Sequence, residues 1–302
     1  MRRFPYLLIA LALAVASCSS ASVAATVNGD DIETSTVESL IDPAGEEVTD
    51  DQFRDALTAV IQWDLIADAA SDDFGIDPTE DEVLEYSDLI IAAQAAGNTR
   101  EAFLETQQVT EEGFLLYARQ LLIGEQLIEQ LETRVVAPTE EEAQDLFDAD
   151  PYGWTVVCAA HILVDTEDEA AAIVTRLEAG EDFATLATQL SIDTGSGASG
   201  GDLGCTTPTG WVDEFAEASM TGEIGAVTGP VQSQFGYHLI RVDSRTEATT
   251  EQLIASLTDV RLAGIVDDWF LNAITSAEVV VAEEYGTWVT DPLPEIVAPE
   301  AE

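Results

Sequence analysis

Apolar positions recur at helical spacing through most of the first half of the chain. Phe53, Ala56, Leu57, Val60, Ile61, Leu65 and Ile66 fall on one face of a helix over 50–73. Pro78-Thr79-Glu80-Asp81-Glu82 reads as a helix start, with acids placed to complement the helix dipole, and leads into 83–96. A third helix is predicted over 110–134, carrying Phe114, Leu115, Ala118, Leu121, Leu122, Leu127, Ile128 and Leu131. Another starts at Pro138-Thr139-Glu140 and runs to about Phe147. Ahead of them all, 25–32 reads as a strand-turn unit with Asn28-Gly29 at the turn.

The pattern changes after the turn-rich stretch 148–153. Residues 154–164, WTVVCAAHILV, read as a strand, followed by helices over 167–180 and 182–190. The Gly/Ser-rich segment 193–204 is expected to be a loop. A short helix over 213–219 and a strand over 237–243 complete a mixed module. Helical spacing then returns over 249–276 with Leu253, Leu257, Val260, Leu262, Ile265, Trp269, Phe270 and Ile274. Alone, that helix has nothing to bury its apolar face against. It is expected to pack back on the N-terminal helices, leaving the mixed module as an insertion in a discontinuous helical domain. The acidic, proline-containing segment 291–302 is expected to be disordered. There is no internal repeat.

Charge narrows the possible partners. The 302 residues hold 59 Asp and Glu against ten basic residues, all Arg, for a net charge of −49. Such a chain lacks the cations that nucleic acid or an anionic membrane surface would require. The acids read as a solvated surface.

The N-terminus reads as an export signal. Arg2 and Arg3 precede an apolar stretch over 4–16, too short for a comfortable membrane span. Val15-Ala16-Ser17-Cys18 resembles the lipobox of bacterial lipoproteins, in which the Cys becomes the acylated first residue of the mature protein. The alternative is an ordinary signal peptide cleaved near Ala24 or Ala25, with Cys18 discarded.

The two histidines of the chain frame the informative motifs. They are His161 in Ala160-His161-Ile162-Leu163-Val164 and His238 in Gly236-Tyr237-His238-Leu239-Ile240. Between them lie Ala179-Gly180-Glu181-Asp182-Phe183-Ala184-Thr185-Leu186-Ala187, Ser191-Ile192-Asp193, Gly200-Gly201-Asp202-Leu203-Gly204, Gly222-Glu223-Ile224 and Gly229-Pro230-Val231. In order and spacing this set resembles the parvulin family of peptidyl-prolyl isomerases. The resemblance implies an α+β fold: a parvulin-like domain with a four-stranded antiparallel sheet and surrounding helices, inserted in a mostly α-helical chaperone-like domain.

An X–Pro amide has a rotation barrier of about 18–20 kcal/mol. Lowering it requires weakened amide resonance and a dry pocket, with no metal, cofactor or covalent intermediate. The resemblance implies catalytic roles for His161, Asp193 and His238, with Thr194 as the alternative register to Asp193. It implies a proline pocket from Trp211 and Phe215, completed by Phe235 and Tyr237. The sequence departs from the family pattern at Cys205, Thr206 and Trp211. After His161 stands Asp165-Thr166-Glu167-Asp168-Glu169 rather than a basic cluster, which argues against phosphate-directed specificity.

Cys158 and Cys205 both fall inside this module. In an exported protein they are candidates for a disulfide; the alternative is two buried free thiols. No CxxC occurs, and no metal site is expected. The flanks, with Val27-Asn28-Gly29 and Glu284-Tyr285-Gly286-Thr287-Trp288, resemble extracytoplasmic foldases of the SurA/PrsA type. The expected organisation is therefore a signal peptide over 1–17, a tether over 18–25 and an N-terminal helical domain over 26–150. An isomerase domain over 152–246 follows, then a C-terminal helix over 247–290 and the tail. The implied function is isomerisation of X–Pro bonds in unfolded or partly folded exported proteins. The location would be outside the cytoplasmic membrane and anchored to it by lipid. A non-enzymatic holdase with a degenerate parvulin module is the alternative.

Overall fold

A computed structural model describes residues 22–41, 48–94, 97, 99–291 and 293–299. The signal peptide and Cys18 lie outside the described residues. The chain divides into two compact units, Met1–Val135 with Leu262–Glu302, and Val136–Arg261.

In the first unit, β1 (Val23–Val27) and β2 (Asp30–Glu33) form a hairpin through Asn28-Gly29, both at positive φ. Helices α1 (Thr34–Ile41), α2 (Asp50–Phe74), α3 (Glu80–Gln94), α4 (Arg100–Gln107) and α5 (Glu111–Glu132) follow. Thr49 and Gln52 form a capping box at the start of α2, and Gly75 in the left-handed region ends it. The apolar stripe of α2 (Phe53, Leu57, Val60, Ile61 and Leu65) is buried with Val27 and Val37.

The second unit opens with α6 (Glu140–Ala149) and β3 (Thr155–Val164). Then come α7 (Glu167–Glu178), α8 (Phe183–Leu190), the four-residue α9 (Thr194–Gly197) and β4 (Asp202–Thr206). A 3₁₀ turn at Pro208–Gly210 precedes α10 (Asp213–Thr221), β5 (Val227–Ser233) and β6 (Gly236–Glu247). The four strands make one antiparallel sheet in the order β4-β3-β6-β5. On one face Ala160, Ile162, Val164 and Leu239 pack against Ala170 and Ile173 of α7 and Phe183 and Leu186 of α8. On the other, Val157, Ala159, Ile240 and Val242 pack against Phe215 of α10. Strand β3 is covered on both sides, which is why it reads as an unbroken apolar run. Segment 193–204 is not wholly loop: Asp193 caps α9, and β4 begins at Asp202.

Helix α11 (Thr250–Ser276) leads back into the first unit. There Trp269, Ala273 and Ile274 are buried, and the Trp269 indole N–H donates to Asp73 at 2.7 Å. Strand β7 (Val279–Val281) adds to β1, and β8 (Thr287–Val289) pairs with β9 (Glu295–Val297). The expectation of a disordered tail therefore fails at 295–297. Ile296 supplies an apolar side chain that is buried beside Leu57 and Ile61, so this stretch has a core to join.

Candidate active site

Each imidazole is set by a strand. In the β3–β6 register His161 faces Ile240 and Leu163 faces His238, so the two histidines sit diagonally on one face of the sheet. Both are buried, at 6% and 4% exposure. Their Nδ1 atoms are 3.1 Å apart and the rings stack at 20°. His161 Nε2 lies 2.8 Å from Asp193 Oδ2 and 3.1 Å from Ser196 Oγ. His238 Nε2 lies 2.7 Å from Ser233 Oγ.

These partners assign the protons. The Asp193 carboxylate only accepts, so His161 Nε2 carries hydrogen and its Nδ1 accepts. His238 Nδ1–H then donates to His161, and His238 Nε2 accepts the Ser233 hydroxyl. Ser233 Oγ in turn accepts the Phe235 backbone N–H at 3.1 Å. Ser196 donates a second bond to Asp193 Oδ2 at 2.5 Å. The result is a hydrogen-bonded relay running one way and ending on a carboxylate. Its electrostatics agree. Burial, with His161 alongside, pushes His238 down to about 4, while Glu214 and Asp193 pull the other way. The Ser196 hydroxyl, then the His161 N–H, hold Asp193 well below the usual carboxylate range.

Local sequence explains the placement. Asp193 is the N-cap of α9 and accepts Gly195 N–H at 2.9 Å, which leaves Oδ2 for His161. Ser196 lies one helical turn on. Gly201 receives the His161 backbone N–H at 2.8 Å, and a Cβ there would stand 2.3 Å from the His161 carbonyl. Only glycine permits that approach, at a φ of +83°.

Phe215 packs edge-on against both imidazoles, with centroids at 5.5 and 5.3 Å, and Trp211 stands 4.9 Å from Phe215. An apolar wall thus stands directly on the relay. The structure brings together His161, His238, Asp193, Phe215 and Trp211. It does not bring Tyr237 or Phe235 into this group. Tyr237 alternates with His238 along β6 and packs on the opposite face of the sheet. Phe235 sits in the turn between β5 and β6 and is 59% exposed. Two members went unread in the sequence, Ser196 and Ser233. The only signal for Ser196 was its spacing of three from a capping Asp, and Ser233 had none. Cys158 and Cys205 are register partners on β3 and β4 and form a disulfide.

This sheet, with paired histidines under an aromatic slot and a carboxylate at the end of the relay, defines a parvulin-type peptidyl-prolyl isomerase. A rotamase family model, described as a PPIC-type PPIASE domain, matches residues 161–244. The Foldase protein PrsA of Halalkalibacterium halodurans is 32% identical over 249 residues, spanning 79% of this chain and 74% of that protein. That of Oceanobacillus iheyensis is 37% identical over 143 residues, 47% of this chain and 46% of that one. Among solved structures, the peptidylprolyl isomerase PrsA of Bacillus anthracis is 24% identical. It covers 73% of this chain and 96% of its own, with a TM-score of 0.33. The chain belongs to the PrsA foldase family. It is a peptidyl-prolyl cis-trans isomerase that serves as a foldase for exported proteins.

Proposed function

We propose that the relay Ser233–His238–His161–Asp193 is the catalytic machinery, with Phe215 and Trp211 as the slot for the prolyl ring. The observation that carries this reading is the continuous hydrogen-bonded path from Ser233 to Asp193 beneath Phe215. A planar amide places partial negative charge on its oxygen. An ionised carboxylate facing that oxygen disfavours the planar form, and the twisted form gains relative stability. The imidazoles do not exchange a proton with substrate. They hold Asp193 in its charged, oriented state. The apolar wall excludes water and anchors the ring, so no covalent step is needed.

The protein works outside the cytoplasm. Cys18 is its acylated first residue, and a diacyl-thioether anchor holds it on the membrane more firmly than one chain could. The unit formed by the segments before 136 and after 261 is the chaperone-like part that retains unfolded clients. Its counterpart, wider than the 152–246 read from motifs, presents X–Pro bonds to the relay.

The test is exchange NMR or a protease-coupled assay on an Ala-Pro peptide. The purified chain should accelerate isomerisation, and Asp193→Ala should lose most of that acceleration while keeping its circular dichroism spectrum. For the anchor, Cys18→Ser should move the protein from the membrane fraction to the soluble fraction.

A further inference from the structure

We propose that this site selects its substrates by charge, preferring segments with Lys or Arg beside the proline over acidic or phosphorylated ones. The proposal rests on the isomerase reading and names the substrate class that reading leaves open.

Carboxylates flank the imidazole pair from two different elements. Asp193 bonds His161 from the cap of α9 and keeps 30% of its side chain exposed. Glu214 lies on α10 next to Phe215, is exposed to solvent, and is near enough for its charge to act on His238. At the end of β3 stand Asp165 and the first turn of α7, with Glu167, Asp168 and Glu169. Val164, next to Asp165, abuts the Ser233–Gly236 turn so closely that a Cβ on Gly236 would stand 2.3 Å from its carbonyl, while α7 itself packs on the sheet face away from the histidines.

Only four cations of this unit stand against them. Its arginines are Arg176, Arg241, Arg245 and Arg261, and the chain has no Lys. Arg176 holds Glu181 at 2.6 Å. Arg241 holds Asp243 at 2.6 Å and lies over the Phe183 ring, on the face of the sheet away from the histidines. Arg245 donates to the Met220 and Gly222 carbonyls. Arg261 binds Glu142 and the Val136 carbonyl. Arg245, bonded only to carbonyls, keeps its charge at the end of α10, while the charges that act on His238 besides its imidazole partner are the carboxylates of Glu214 and Asp193. A like charge on the residue beside proline is repelled, and an opposite charge is drawn in. The effect is a difference in transition-state access between substrates, carried by screened Coulomb terms.

The experiment compares Ala-Lys-Pro-Phe, Ala-Ala-Pro-Phe and Ala-Glu-Pro-Phe peptides with the whole purified chain, by exchange NMR. At about 10 mM salt, kcat/KM for Lys-Pro should exceed that for Glu-Pro by roughly five- to twenty-fold, with Ala-Pro between them. The ratio should shrink toward one near 1 M salt, where the screening length falls to about 3 Å. Glu214→Gln should lower the ratio roughly two-fold, and Glu214→Lys more. A ratio is independent of any general loss of activity. Equal values for Lys-Pro and Glu-Pro at low salt, or a ratio indifferent to both salt and Glu214, overturn the proposal. If no peptide is accelerated, the isomerase reading fails. Peptide affinity by titration then decides the charge preference: the same order supports it and equal affinities overturn it.

Discussion

His161 and His238 share one hydrogen bond, Nδ1 to Nδ1 at 3.1 Å, and that bond requires one ring to be a donor and the other an acceptor. Protonating His238 at Nε2 would turn the Ser233 hydroxyl from donor to acceptor and place a cation in a buried site. Stability therefore depends on pH with a definite sign. The His238 pKa falls to about 4 in the folded protein, against 6.5 for a free histidine. Between those values the unfolded chain binds more protons, so stability is complete above about pH 6.5 and declines as pH falls toward 4. The loss should be about 1–3 kcal/mol once solvent screening is allowed for. Urea unfolding at pH 7, 6, 5 and 4 measures it, and His238→Gln should flatten the slope in that window. Asp193, held low by Ser196 and His161, adds a further loss only below about pH 3.8.

Asp193→Asn keeps the shape of the carboxylate and removes its charge. The amide oxygen can still accept the His161 N–H, but the NH2 then faces the Gly195 N–H and that cap bond is lost, so the fold should hold at a cost of about 1–2 kcal/mol. If the charge acts on the amide, kcat/KM should fall about 10- to 100-fold. Ser196→Ala removes one bond to Asp193 and leaves the charge, and its loss should be smaller, roughly five-fold. A series in which Ser196→Ala costs as much as Asp193→Asn would assign the effect to geometry rather than charge.

The Cys158–Cys205 disulfide ties neighbouring strands across a sequence separation of 47. Closing a loop of that length restricts the unfolded chain and contributes about 4 kcal/mol in the chain-entropy account. Reduction, or Cys158→Ser with Cys205→Ser, should lower the unfolding free energy by roughly that amount. The bridge lies three residues before His161 on the same strand. Activity below the new unfolding midpoint should survive, because β3 keeps its ladder to β6 on the other side.

Much of this architecture was legible because its signals are local. The long stripes of α2, α5 and α11 announce themselves by spacing, and β3 by an apolar run that only a doubly covered strand requires. The histidines and Asp193 were found through ordered motifs. What stayed hidden depends on register. Ser233 meets His238 only because β5 and β6 pair as they do, and nothing around Ser233 encodes that. Tyr237 could have been excluded by alternation alone, since adjacent strand residues face opposite ways. Helices α1 and α4 are eight residues each and bury one apolar residue apiece, Val37 and Phe103, too little for a periodic signal.

The C-terminal segment is where composition misled most. Acids and prolines suggested solvation, yet Ile296 is 8% exposed and joins the cluster of Leu57, Ile61 and Ile274. Its strand pairs with β8 through Trp288↔Ile296, and the nearby Pro294 carbonyl accepts Gln62 at 2.9 Å. A buried isoleucine with these neighbours behaves as core wherever it falls in the chain. Ile296→Ala should cost about 2–4 kcal/mol, as core truncations do. Ile296→Asp should cost more, since the carboxylate would have no partner there. Pro299→Ala, at an exposed position beyond the strand, should be near neutral and serves as the control. Thermal melts of the three variants decide the matter: a melting temperature indifferent to Ile296→Asp would return the segment to solvent.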